Sequence, residues 1–303
     1  MSHSGDSNKV IVIAFFANLG IALAKFVGAF LSGSASMLAE AIHSTVDCSN
    51  QILLLVGSRK SKKAPDAQHP LGYGREAFFW SFVVAILLFS LGGLFAIYEG
   101  VHKISAHEEL SSPLIGMGIL LFAIALESYS FMACLKEVRS QNKFGSLWQW
   151  FRKSKSSELL VIFTEDAAAL TGLVVAAICL GLAWMTGQAF WDALGSIFIG
   201  CLLVVVAVLL AAEIKSFLIG EAPGDEFKLY IHDETKRLFP TGKVLNFIAI
   251  QTGSQEVMIS SKINPGEMKD LDLAIDKVNE LERLTKAKFP EVKWQFIELD
   301  RED

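Results

Sequence analysis

The sequence predicts a membrane protein in two parts: an all-α domain of six transmembrane helices, then a small α+β domain of order αββαβ. Three observations lead there. Of the 303 residues, 52% are hydrophobic and only 19% charged, against roughly 25% charged in an average soluble domain. The apolar excess lies almost entirely before residue 220, in long runs separated by short polar pieces. The remainder alternates apolar and polar residues at strand spacing, between two amphipathic helical stretches.

The runs fall at 10–31, 36–57, 78–99, 112–135, 159–185 and 191–213, each near the roughly 20 residues that a bilayer demands. Glycines recur within them, as expected where membrane helices pack closely. Arg59, Lys60, Lys62, Lys63 and Arg75 follow the second run; Lys136, Arg139, Lys143, Arg152, Lys153 and Lys155 follow the fourth; Lys215 follows the sixth. The connections SGSAS and MTGQAF carry no basic residue, and Lys103 stands alone against Glu108 and Glu109. The positive-inside rule therefore puts both termini and the even-numbered loops in the cytoplasm or its organellar equivalent. MSHSGDSNKV lacks the basic region and cleavage site of a signal peptide, so the first run reads as a retained span. The expectation is an N-terminal segment 1–9, a transmembrane domain 10–215 and a cytoplasmic domain 216–303. Its short N-terminus fits a multi-pass protein of a prokaryotic inner membrane.

In the C-terminal domain, 223–239 and 270–288 read as helices, and KVLNFIAIQ, EVMISSKI and VKWQFIEL as strands. A domain this small gains burial by dimerisation, so a homodimeric partner is expected. The net charge of −5 belongs wholly to residues from Glu221 onward. Nothing suggests a nucleic-acid partner, which would call for a basic face with aromatics, and none is expected. Cys48, Cys134, Cys179 and Cys201 sit in or near apolar segments without a CxxC pair and read as small buried thiols.

The second span contains SASMLAEAIHSTVDCSN, residues 34–50. His43 and Asp47, four apart, share a helix face. A carboxylate at membrane depth costs several kcal/mol, so it needs a partner or a wet cavity. Imidazole nitrogen and carboxylate oxygen suit Zn²⁺ and neighbouring divalent ions. A second helix must complete such a site, and FTEDAAALTG of the fifth span offers Glu165 and Asp166. Asp166 with His43 and Asp47 gives three ligands from two helices. Glu165, about 100° further round, is an additional ligand after local rotation, a supporting group or a proton carrier. Carboxylates that share a site exchange bound protons for metal, which is a physical basis for antiport. The bland alternative is an interhelical hydrogen-bond network that holds no ion.

Other polar groups in the spans have both structural and functional readings. Lys25 pairs with Glu127 or with an acidic site residue. Asp192, at the start of the sixth span, is a second candidate for a structural pair. Glu127 and Asn18 are further candidates for the ion path, and Asn50 and Gln51 for helix–helix hydrogen bonds. In HPLGYGREAFFW, His69, Arg75 and Glu76 stand at the cytoplasmic mouth of the third span, either as an entrance site or as a rigid turn with interfacial salt bridges. His3, His102 and His107 are expected to face solvent. His232 is the only histidine of the C-terminal domain and at most a weak metal site.

Six spans with this distribution of ligands and an αββαβ tail resemble the cation diffusion facilitator family over nearly the whole chain. AEAIHSTVDCSNQ is similar to its second-span signature, HPLGYGREAFFW to its loop into the third span, and WDALGSIFIG to the start of its sixth. The resemblance implies a homodimeric secondary transporter that moves Zn²⁺ and similar ions out of the cytoplasm, driven by inward proton flow. It implies a tail that resembles a metallochaperone and makes dimer contacts. His43, Asp47 and Asp166 match three of the family's four ligand positions, and Ile162 stands at the fourth. EDAAALTGL resembles the branch that includes the mitochondrial-type zinc transporters, with Glu165 or a water in place of the missing ligand. The family's histidine-rich loop between the fourth and fifth spans is absent. SLWQWFRKSK stands there instead, with the composition of an interfacial segment.

The expected function is export of divalent cations by proton antiport with alternating access, Zn²⁺ first and then Fe²⁺, Co²⁺, Cd²⁺ and Mn²⁺. No prosthetic group and no enzymatic chemistry are expected. The rivals are a passive divalent-cation channel, a non-transporting metal sensor or scaffold, and a metal-using membrane enzyme.

Overall fold

The computed structural model describes residues 3–106, 113–141, 145–154, 156–254 and 256–302, with their side chains except those of 3–14, 16, 17, 106, 141 and 153. His107 and the side chain of His3 lie outside the described residues. The helices in order are α1 (His3–Ser32), α2 (Ala35–Ser61), α3 (Glu76–Leu87), α4 (Phe95–Ala106), α5 (Pro113–Gln141), α6 (Leu147–Lys153), α7 (Ser157–Thr186) and α8 (Phe190–Ile219). A π-helical turn, Leu88–Leu94, joins α3 to α4 without a break. The C-terminal part adds α9 (Glu226–Leu238), β1 (Lys243–Gly253), β2 (Glu256–Asn264), α10 (Leu271–Lys288) and β3 (Val292–Leu299), the expected αββαβ order.

Among the described residues, four helical stretches are long and apolar enough to cross a membrane: Glu76–Ser105, Pro113–Ser140, Ser157–Thr186 and Phe190–Ile219. α2 falls short of that standard because Glu40, His43, Asp47, Asn50, Arg59 and Lys60 dilute it. The apolar stretch described in α1, Asn18–Ser32, is shorter than a span.

The chain divides into two compact units, one made of residues up to Gly57 with Trp80–Ile214, the other of Ser58–Phe79 with Lys215 onward. In the first unit α5 packs against both α1 and α7. The α3–α4 helix approaches α8 through glycines. A Cβ at Gly200 would meet Gly93 O at 2.7 Å and Ile97 Cγ1 at 2.6 Å, so no side chain fits. Ser196 Oγ ties the same two helices by donating to Ala96 O at 2.7 Å. Outward faces carry Phe30, Leu23, Tyr129, Phe122, Met185 and Val205, all exposed, the surface that lipid rather than water would solvate. α1 stops at Gly33, whose φ of 63° is the left-handed cap that only glycine adopts freely. α6 was not expected as a helix. Ser146 Oγ caps it by accepting from Gln149 N at 3.1 Å, Trp150 is buried against Phe163 with ring centroids 5.5 Å apart, and Trp148 is exposed.

In the second unit β1 pairs antiparallel with β2, and β2 parallel with β3, so α10 is the crossover that a parallel pair needs. β2 turns Val257, Ile259, Ser261 and Ile263 inward. They meet Phe227, Ile231 and Leu238 of α9, Leu281 of α10 and Val292 of β3. α9 begins three residues later than the periodicity suggests, because Pro223 and Gly224 do not favour an established helix. α10 begins where Asp270 Oδ1 accepts from Asp272 N and Leu273 N, 3.0 and 3.2 Å away.

Candidate metal site

α2 buries a line of polar side chains: Glu40, His43, Ser44, Asp47 and Asn50. Helical spacing of three and four places them along one face, and the packing of α2 turns that face inward. His43 Nδ1 lies 3.5 Å from Asp47 Oδ1, an ion-pair distance. Neither nitrogen of His43 nor Asp47 Oδ1 has a hydrogen-bond partner among the described residues. Buried polar atoms left so cost about 1–3 kcal/mol each. A bound cation is one partner that answers both donors' lone pairs at once.

α7 brings Glu165 to this face. It is buried, and its Oε1 accepts from Asn50 Nδ2 at 2.5 Å. Asp166 is half-buried, on the next face of α7. Among the described residues, no three His, Cys, Asp or Glu side chains stand close enough to hold a metal ion. The structure thus joins His43 to Asp47 and Glu165 to Asn50, and leaves Asp166 outside both pairs. Ile162 is half-buried one turn before Asp166 and offers no donor.

Lys25 of α1 is wholly buried. Its Nζ lies 2.7 Å from Ser44 Oγ, 3.2 Å from Glu40 Oε2 and 3.9 Å from Glu127 Oε1 of α5. Asn18, two turns earlier on α1, is half-buried. Glu40 was absent from the sequence-based set of site residues, although it lies three residues before His43 and so shares its face. Asp192 at the start of α8 accepts from Ser34 Oγ at 2.6 Å, Ala35 N at 2.7 Å and Ser36 Oγ, and lies 3.4 Å from Lys103 Nζ. Lys103 also donates to Gly33 O. The sequence marks Asp192 as a candidate for a structural pair but does not name Lys103 as its partner. A buried ammonium requires an anion.

The α2–α3 loop closes on Asp66, which accepts from the Tyr73 hydroxyl at 2.6 Å, His69 N at 2.9 Å, Gln68 N at 3.0 Å and Lys63 Nζ at 3.1 Å. The His69 ring stacks obliquely on Tyr73, with centroids 4.3 Å apart. Arg75 is exposed beside Gly220, and Glu76 begins α3. His102 is exposed and stacks on Tyr98. His232 sits half-buried on α9, where burial, then Lys228 and Lys236, lowers its pKa. No second ligand accompanies it in a metal-holding group among the described residues.

Comparison with known proteins agrees with this architecture. Residues 11–219 match the cation efflux transmembrane domain. A mouse protein named proton-coupled zinc antiporter SLC30A9, mitochondrial, is 32% identical over 71% of this chain and 38% of its own length. Metal tolerance protein C4 of Arabidopsis thaliana is 32% identical over 73% of this chain and 49% of its own. An uncharacterized transporter of Methanocaldococcus jannaschii is 23% identical, over 93% of this chain and 96% of its own. The chain therefore spans less than half of the mouse and plant relatives. With more than half of its length matched to one domain, the chain belongs to the cation efflux family, which are membrane transporters and not enzymes.

Proposed function

We propose that the chain is a proton-coupled exporter of divalent cations, with zinc as the first substrate, that carries its ion between α2 and α7. The observation that carries this reading is the His43–Asp47 pair. It is buried in an apolar helix bundle, its nitrogens and one oxygen without a hydrogen-bond partner among the described residues, on the face of α2 from which Asn50 reaches Glu165 of α7. His43 and Asp47 hold the ion from one side. Glu165 or Asp166 completes the set from the other, after a modest rotation or approach of α7 during alternating access. The name of the mouse relative supports zinc and proton coupling, and that of the plant relative supports a metal substrate. The mixed nitrogen–oxygen donor set supports zinc over harder ions, while its carboxylates admit iron, cobalt, cadmium and manganese.

In this reading α1 and α2 are also spans. α2 has 27 residues, and at a rise of about 1.5 Å each it exceeds the hydrocarbon thickness. Its polar face is turned inward, as an ion path requires. The transmembrane domain then covers 10–215 and the cytoplasmic domain 216–303, with both termini cytoplasmic and a prokaryotic inner membrane as host. The C-terminal sheet leaves Ile248 and Phe296 exposed, which supports a homodimer.

The test is metal uptake by proteoliposomes across an imposed pH gradient, with Zn²⁺, Fe²⁺, Mn²⁺, Cd²⁺ and Co²⁺ compared. Saturable zinc uptake that follows the proton gradient is expected. Gradient-insensitive currents would indicate a channel, and absence of flux from folded protein would indicate a sensor or scaffold.

A further inference from the structure

Lys25 is a cation held within the helix bundle. Its ammonium meets Glu40 and Ser44 of α2 and Glu127 of α5, so two helices supply its oxygens and a third, α1, carries the lysine. Lys25, Glu40 and Ser44 are almost wholly removed from solvent, and Glu127 nearly so. A fourth helix makes room for the arrangement. A side chain at Gly172 of α7 would collide with Glu40 Oε1, and that oxygen has no hydrogen-bond partner among the described residues. Two carboxylates and a hydroxyl converging on one point are the donor set of a hard cation site. Here a lysine reaches into it. Ser44 adjoins His43 and Glu40 lies one turn before it on α2, so this position neighbours the metal pair.

We propose that Glu40, Ser44 and Glu127 form a second cation position beside the metal pair, and that Lys25 fills it as a tethered counter-ion. The transported ion is then confined to His43, Asp47 and the α7 carboxylates. Glu40 and Glu127 serve the ammonium rather than the passing metal. Without Lys25, two buried carboxylates would lose their fixed partner, and burial of an uncompensated charge is strongly unfavourable. A mobile cation from solution would take the place. Lys25 is in this account a specificity-determining residue. It makes the bundle accept a single divalent ion per chain, and it keeps sodium, potassium and a second metal out.

This inference rests on the transport reading above, and the experiment separates the two. Purified full-length protein is titrated with Co²⁺ at equilibrium in sodium and in choline medium of equal ionic strength, and zinc flux is followed in proteoliposomes. Lys25→Met is expected to bind one more Co²⁺ per chain than wild type in choline, and sodium should compete for that extra ion. Lys25→Arg, which keeps the charge, should bind the same number as wild type. Wild-type binding should not differ between sodium and choline. A purely structural lysine would lower the folded yield of Lys25→Met without changing its ion count or creating sodium sensitivity, and that result overturns the proposal. Should Lys25→Met not fold, Glu40→Gln decides. Its amide oxygen still accepts from Lys25, so the Co²⁺ count should stay at the wild-type value, and loss of an ion would show that Glu40 holds the metal itself. If wild type neither binds Co²⁺ nor passes zinc, the transport reading fails. If wild type does both and Lys25→Met gains no ion, only the counter-ion proposal fails.

Discussion

Asn50 Nδ2 on α2 donates a 2.5 Å hydrogen bond to Glu165 Oε1 on α7. The two residues are 115 positions apart in sequence and both are buried. The contact fixes the distance between the helix that carries the His43–Asp47 pair and the helix that carries the acidic pair.

Asn50→Ala should therefore loosen that junction. It removes a hydrogen-bond donor to a buried carboxylate, a change that costs about 1–3 kcal/mol. Thermal unfolding in detergent should show the loss, and zinc flux should fall with it. Glu165→Gln keeps a hydrogen-bonding group at the same place and should retain more of the stability than Asn50→Ala. Equal melting temperatures for wild type and Asn50→Ala would mean that the contact does not hold the helices together.

Asp192 gathers Ser34, Ala35, Ser36 and Lys103 at the turn between α1 and α2. Asp192→Ala leaves the Lys103 ammonium buried and without its carboxylate, which should cost about 3–5 kcal/mol. Asp192→Asn should cost less, because its carbonyl still accepts from Ser34. Lys103→Met combined with Asp192→Asn should recover part of the loss seen for Asp192→Ala. A double variant no more stable than the alanine variant would argue against a coupled pair.

The Asp66 carboxyl is held well below the usual carboxylate range by the Tyr73 hydroxyl, then the His69 N–H and the Lys63 ammonium. A depressed carboxylate favours the folded loop above its unfolded pKa, and the contribution disappears as pH falls through the folded value. Asp66 should thus remain ionised at about pH 4, where an ordinary aspartate is half protonated. Carboxyl ¹³C shifts of labelled protein measure this directly. Tyr73→Phe should move the midpoint upward toward the ordinary value. A wild-type midpoint near the ordinary value would contradict the loop geometry.

Much of the fold was legible in the chain. The alternation of Val257, Ile259 and Ile263 marks β2, and Leu271, Val278 and Leu281 mark α10, because strand and helix periods are local properties. α1 and α2 are helices as expected, yet α2 is too polar to qualify as a span by composition. The same His43 and Asp47 that mark it as functional help to dilute it. The π-helical turn at Leu88–Leu94 was not foreseen, since it arises where Gly93 presses against α8, and that contact lies far along the chain. At the site, the His43–Asp47 pair could be read from a spacing of four. The partners of Lys25 could not. Glu40, Ser44 and Glu127 meet it only because three helices converge, and no local pattern announces such a meeting. Nor does spacing decide between Glu165 and Asp166. Both are adjacent acids, and only the rotation of α7 turns Glu165 toward Asn50.

The most direct test of the central claim is zinc flux through Asp47→Ala in proteoliposomes with a proton gradient, at matched amounts of folded protein. If Asp47 holds the ion with His43 and an α7 carboxylate, flux should drop by about a hundredfold or more, since even an outer partner of a metal ligand is worth 10- to 100-fold. Flux at the wild-type level would contradict the claim and remove the ion path from the face that α2 turns toward α7.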